Sequence, residues 1–141
     1  GGDEFLDRST SFLEKKSYLI YTSGSTGKPK ASINTHLGLA NLVEQQIETF
    51  RVNSKSKVLH FSNFSFDASI SEIFCSLCSG SSLHVANREK LLPGTGLVDL
   101  IEREQITHLT CPPTILESIP FKKDHNYLNN IALSEPSDLE F

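Results

Sequence analysis

The chain has 141 residues, 38% of them apolar, a formal charge of −4 and three cysteines. That is core enough for one ordinary domain, while the acidic balance excludes a nonspecific nucleic-acid binder, whose phosphate partner demands a basic face. No apolar run reaches membrane-spanning length and the start has no signal-peptide pattern, so neither nucleic acid nor membrane is expected as a partner. The odd cysteine count suits a reducing cytoplasm better than a disulfide framework, and the lack of any methionine gives the expectation of a piece of a longer chain.

In chain order, a polar lead-in precedes Tyr18–Thr22, a short apolar run that predicts a strand, and Ala31–Asn34 predicts its returning partner. Thr35 offers an N-cap to a helix through about Phe50, with Leu39, Val43, Ile47 and Phe50 along one side. Val58–Ser62 reads as the next strand. Asp67 is placed to cap a second helix, where Ile70, Ile73, Phe74 and Leu77 recur at helical spacing before Gly80 stops it. Leu83–Ala86 predicts a core strand, followed by a loop through Pro93–Gly96. A helix over Leu97–Glu104, a strand over Ile106–Thr110 and a short helix over Thr114–Ser118 follow, the last entered through Pro112-Pro113. Strands alternating with helices predict an α/β layered core whose largely parallel sheet is flanked by helices. Cys75 and Cys78 form a CxxC without a second pair or a histidine cluster, and are expected as buried structural thiols rather than zinc ligands.

Between the first two strands stands Tyr21-Thr22-Ser23-Gly24-Ser25-Thr26-Gly27-Lys28-Pro29-Lys30. Glycines let backbone N–H groups turn inward and hydroxyls add donors, so such a loop suits a polyphosphate, with lysine to offset its charge. A flexible linker is the bland alternative; apolar flanks favour a hairpin loop held at both ends. A Walker loop is excluded, since only two residues separate Gly24 from Gly27 and Pro29 follows Lys28. The ten-residue string resembles the phosphate-binding signature of the adenylate-forming enzymes, departing only at the next position, where Ala31 replaces the family's usual glycine.

A second segment, Phe64-Ser65-Phe66-Asp67-Ala68-Ser69, follows a predicted strand and opens a helix. By itself it reads as a capping aspartate among core phenylalanines. Beside the loop it resembles the FDxS motif of the amino-acid-activating adenylation domains of nonribosomal peptide synthetases. That resemblance implies that Asp67 binds the substrate's α-ammonium group, a carboxylate selecting a cation it can pair with. It places Phe66 beside the reacting carboxylate and puts Ala68, Ser71 and Thr110 on the walls of the side-chain pocket. Thr110 lies in Ile106–Thr114, a third matching stretch. His36 also matches a family histidine and is read as structural.

The resemblance runs over about residues 17–120. It implies residues 1–16 as lead-in, 17–135 as a partial adenylation domain belonging to the family's large N-terminal lobe, and 136–141 as a tail. The implied reaction joins an amino-acid carboxylate to the α-phosphate of ATP, releasing pyrophosphate. Thr22, Ser23, Gly24, Ser25, Thr26, Gly27, Lys28 and Lys30 would hold the phosphates, with Lys30 as the catalytic cation. Magnesium is implied with its ligand outside this chain, as are the remainder of the domain, a carrier (thiolation) domain bearing phosphopantetheine, and a condensation domain. An acyl- or aryl-CoA ligase and a noncatalytic ATP-binding fragment are the rivals; Asp67 argues against the first. Ser71, where members taking hydrophobic side chains often have tryptophan, gives the expectation of a deep pocket for an aromatic substrate with a polar end, tyrosine ahead of phenylalanine.

Overall fold

The computed structural model of the chain describes residues 12–22, 29–119 and 130–133. It divides into two compact units after Gln45. In the first, β1 (Lys16–Thr22) and β2 (Lys30–Thr35) pair antiparallel, with Leu19 opposite Ile33 and Thr22 opposite Lys30. The next helix, α1 (His36–Phe50), starts as its sequence predicts: Thr35 Oγ1 accepts the Gly38 N–H at 3.1 Å, satisfying one of the free donors of the first turn. His36 stacks on Phe12 with ring centroids 4.6 Å apart and donates its backbone N–H to the Lys15 carbonyl, a structural role.

The second unit holds a four-stranded sheet in the order β4-β3-β5-β6, formed by Ser82–Val85, Lys57–His60, His108–Cys111 and Asn130–Leu133, every adjacent pair parallel. Crossovers between parallel strands need helices. These are α2 (Asp67–Ser79), α3 (Thr95–Glu104) and the short α4 (Pro113–Ser118). The core gathers Leu59 of β3, Leu97, Leu100 and Ile101 of α3, and Leu109 and Cys111 of β5. Burial pushes the Cys111 thiol up to about 11, with the nearby Glu72 carboxyl adding to the shift, so it stays protonated. Gly80 ends α2 at φ 71°, a left-handed conformation that glycine takes without Cβ strain, and the Ser81 N–H closes back on the Ser76 carbonyl.

Four expectations need correction. On α2, Ile70, Ile73 and Phe74 are only half-buried and Leu77 is 64% exposed, while the fully buried residues are Ser69, Glu72, Cys75 and Ser76. Small residues permit close approach of the helix, and Glu72 is drawn in by the N–H groups it serves. Cys78 is exposed, on the outward side of the same helix, while Cys75 is buried. β4 lies at the end of the sheet order with Val85 exposed, so it is an edge strand rather than a core strand. Asp67 does not cap α2. Phe66, in extended backbone, is the residue before the helix and makes no side-chain cap, and Asp67 is the first helical residue.

Candidate functional site

Thr22 closes β1 and Lys30 opens β2 as direct cross-strand partners, so both side chains lie on one face at the mouth of the loop they enclose. Thr22 Oγ1 donates to the Lys30 carbonyl at 3.4 Å, and both residues are exposed. Ser23, Gly24, Ser25, Thr26, Gly27 and Lys28 lie outside the described residues. A two-stranded mouth carrying a hydroxyl and an ammonium suits an anionic ligand at the loop.

The second unit builds a different kind of site. β3 ends at His60, and the chain then turns through Phe61–Phe66 into α2. One side chain organises that turn. Glu72 accepts the Phe61 N–H at 3.1 Å, the Ser62 N–H at 3.2 Å and the Ser62 hydroxyl at 3.1 Å. Asn63 Oδ1 accepts from the Ser65 N–H at 3.1 Å, and the Phe66 N–H reaches the Asn63 carbonyl at 2.9 Å. The turn that delivers Phe66 and Asp67 is therefore held by hydrogen bonds at both ends. Glu72 is 3% exposed, and burial pushes its carboxyl up to about 8 against the opposing pull of the Ser62 and Phe61 donors. His60 Nε2 lies 3.1 Å from the buried Ser69 hydroxyl and 3.9 Å from Glu72, and burial lowers its pKa. With the carboxyl protonated and the imidazole neutral near pH 7, this contact is polar packing, not an ion pair.

Asp67 stands exposed in the first turn of α2, and its carboxylate takes no hydrogen bond or ion pair among the described residues. Ser71 follows one turn later on the same face. Ser71 and Thr110, named separately from sequence, line one cavity together with Glu72, Cys75 and Gln46. Phe66 and Ala68 are half-buried and do not line it. The cavity holds only about 30 Å³, because the space opposite the small Ser71 is filled: Ser71 Oγ donates to Gln46 Oε1, and Cys75 Sγ approaches the same oxygen at 3.6 Å. The deep pocket expected from Ser71 is thus partly occupied by a side chain from α1.

Sequence reasoning missed Glu72 and Gln46. A glutamate inside an apolar helical pattern was a signal for the first. For the second, Gln46 falls seven residues after Leu39, on the stripe of α1 that also carries Val43 and Phe50, where an apolar residue belongs. Among the described residues no group of three or more histidine, cysteine, aspartate or glutamate side chains could hold a metal ion. No helix among them is long and apolar enough to cross a membrane.

The model of the AMP-binding enzyme family fits residues 11–139. Bacitracin synthase 3 of Bacillus licheniformis is 45% identical over 100 residues, covering 71% of this chain and 2% of its own length. The Vibrio cholerae adenylation domain AlmE, solved in complex with glycyl-adenosine-5'-phosphate, superposes with a TM-score of 0.69 at 32% identity, covering 75% of this chain and 20% of that one. Holo-AB3403, a four-domain nonribosomal peptide synthetase bound to AMP and glycine, gives 0.67 at 28%, over 73% of this chain and 8% of its own. The chain thus spans a small part of the proteins it matches. From its fold, its loop mouth and these matches, the chain belongs to the AMP-binding enzyme family, as a segment of an adenylation domain of the nonribosomal peptide synthetase type.

Proposed function

We propose that the protein carrying this segment activates an α-amino acid as its aminoacyl-adenylate and passes it to the phosphopantetheine thiol of a carrier domain. Asp67 carries the reading: a carboxylate with no partner among the described residues, one helical turn from a cavity that Ser71 and Thr110 share. An unpaired carboxylate there supplies what an ammonium group needs, and an acyl or aryl acid offers nothing to match it. AlmE, bound to a glycyl adenylate, supports the same class.

In this mechanism the carboxylate of the amino acid and the α-phosphate of ATP must approach each other, two anions whose repulsion opposes the reaction. Thr22 and Lys30, at the mouth of the loop, would hold the departing pyrophosphate and offset its charge, while Asp67 fixes the amino acid by its α-ammonium group. The protein contributes orientation and neutralisation and no covalent intermediate. Magnesium, when bound, supplies further neutralisation of the phosphates.

The test is amino-acid-dependent exchange of labelled pyrophosphate into ATP by the intact parent enzyme, compared with Asp67→Ala. The variant should lose about 10- to 100-fold in kcat/KM for the amino acid, the worth of a hydrogen bond to a charged group, with the KM for ATP unchanged. Equal discrimination between an amino acid and its deamino analogue in the two enzymes would remove Asp67 from the site.

A further inference from the structure

α2 presents Asp67, Ser71 and Cys75 at successive intervals of four residues, so they form one stripe rising about 6 Å per step. Gln46 faces this stripe from the last turns of α1. Its oxygen accepts from both Ser71 Oγ and Cys75 Sγ, and its amide nitrogen donates to no group among the described residues. The turn that carries it is fixed. Arg51 takes a left-handed conformation at φ 53°, the Val52 N–H closes on the Ile47 carbonyl at 3.0 Å, and His108 Nε2 holds the Phe50 carbonyl at 2.9 Å. A carboxamide pinned by its oxygen at one end of a cavity leaves two N–H donors for whatever enters.

We propose that Gln46 is a specificity-determining residue, the polar floor of the substrate side-chain pocket. It would select an amino acid whose side chain reaches one helical turn from Asp67 and ends in a hydrogen-bond acceptor. This rests on the amino-acid reading of Asp67 given above. Were the floor apolar, a small residue at 71 would only lengthen the pocket; with Gln46 there, an apolar tip leaves the amide donors unpaired and is disfavoured for that reason. Cys75 is an accessory to this arrangement, since burial raises its pKa and keeps the thiol protonated as a weak donor to the Gln46 oxygen.

The experiment uses the intact parent enzyme in pyrophosphate exchange with two matched pairs, tyrosine against phenylalanine and glutamine against methionine. The native enzyme should prefer the polar member of the pair it accepts. Gln46→Leu should shrink that preference by at least about tenfold, leaving the KM for ATP and the rejection of the deamino analogue as they were. A preference that stays put, a uniform fall for both members, or a native preference for the apolar member would each overturn the proposal. Should Gln46→Leu fail to fold, Gln46→Met, close to glutamine in size and shape but without the amide donors, gives the same readout. Native enzyme that exchanges with no amino acid would defeat the functional reading and this inference together; exchange with an unmoved ratio defeats this inference alone.

Discussion

Lys30 and Thr22 are the cross-strand pair next to the loop, where the proposed function has them hold phosphate. A lysine on an irregular loop would spend rotamer and backbone freedom on binding; here the backbone part is already spent in forming β2. Its ammonium is exposed, so its attraction for phosphate is that of a solvated charge and not of a buried one. Lys30→Ala in the parent enzyme should therefore lower kcat/KM for ATP by roughly 10- to 100-fold and leave the KM for the amino acid within about twofold. Steady-state kinetics with each substrate varied in turn checks this, and unchanged constants for both would dismiss Lys30 from the phosphate site. The hairpin that flanks the loop was legible because two short apolar runs separated by a glycine-rich polar stretch predict paired strands. Gln46 was not legible in the same way, because its meaning depends on Ser71, 25 positions away, and only the fold brings the two together.

α2 shows at the scale of an element why part of the fold could be read and part could not. Its stop at Gly80 was visible, since C-cap chemistry is local, and its start was placed within a residue although Asp67 does not cap it. The face it buries was not visible, because Ser69, Glu72, Cys75 and Ser76 make no apolar stripe. What pulls that face inward is the need of the Phe61 and Ser62 N–H groups for an acceptor once the turn after β3 leaves the sheet. α3, by contrast, buries apolar residues at helical spacing, Leu97, Leu100 and Ile101. Glu72 also makes the element pH-sensitive. Its carboxyl is held at about 8 in the folded chain against a usual value of 4.5, so the folded state keeps a proton that the unfolded state has lost over that interval. Stability from this group is fully present below about pH 4.5 and is lost as pH rises through about 8, with a slope of at most about 1.4 kcal/mol per pH unit. Glu72→Gln keeps an acceptor oxygen and cannot ionise, so denaturant unfolding of the parent domain at pH 5, 6, 7 and 8 should give a flatter profile for the variant. Parallel profiles would mean that Glu72 does not titrate in this window.

At the scale of the whole molecule, the two halves of the proposed chemistry reside in separate compact units, the phosphate hairpin in one and the Asp67–Ser71–Thr110 site in the other. Adenylation demands that the α-phosphate and the carboxylate be held within bonding reach, and positioning of this kind supplies a large part of a catalysed barrier reduction. The match covers only 20% of the length of AlmE. Large apolar side chains also stand open on the chain, Phe64 at 71%, Leu77 at 64% and Val85 at 70%, the last on a sheet edge. Such surface and such an edge favour association in an isolated segment. A polypeptide of these 141 residues alone should therefore exchange no labelled pyrophosphate into ATP above background, and should elute in size-exclusion chromatography ahead of a compact monomer. The parent domain, assayed beside it with the same amino acids, should exchange. Amino-acid-dependent exchange by the segment alone would show that these two units already contain everything the adenylation step requires. A cooperative melt with a monomeric profile would show that the exposed apolar groups are tolerated without a partner.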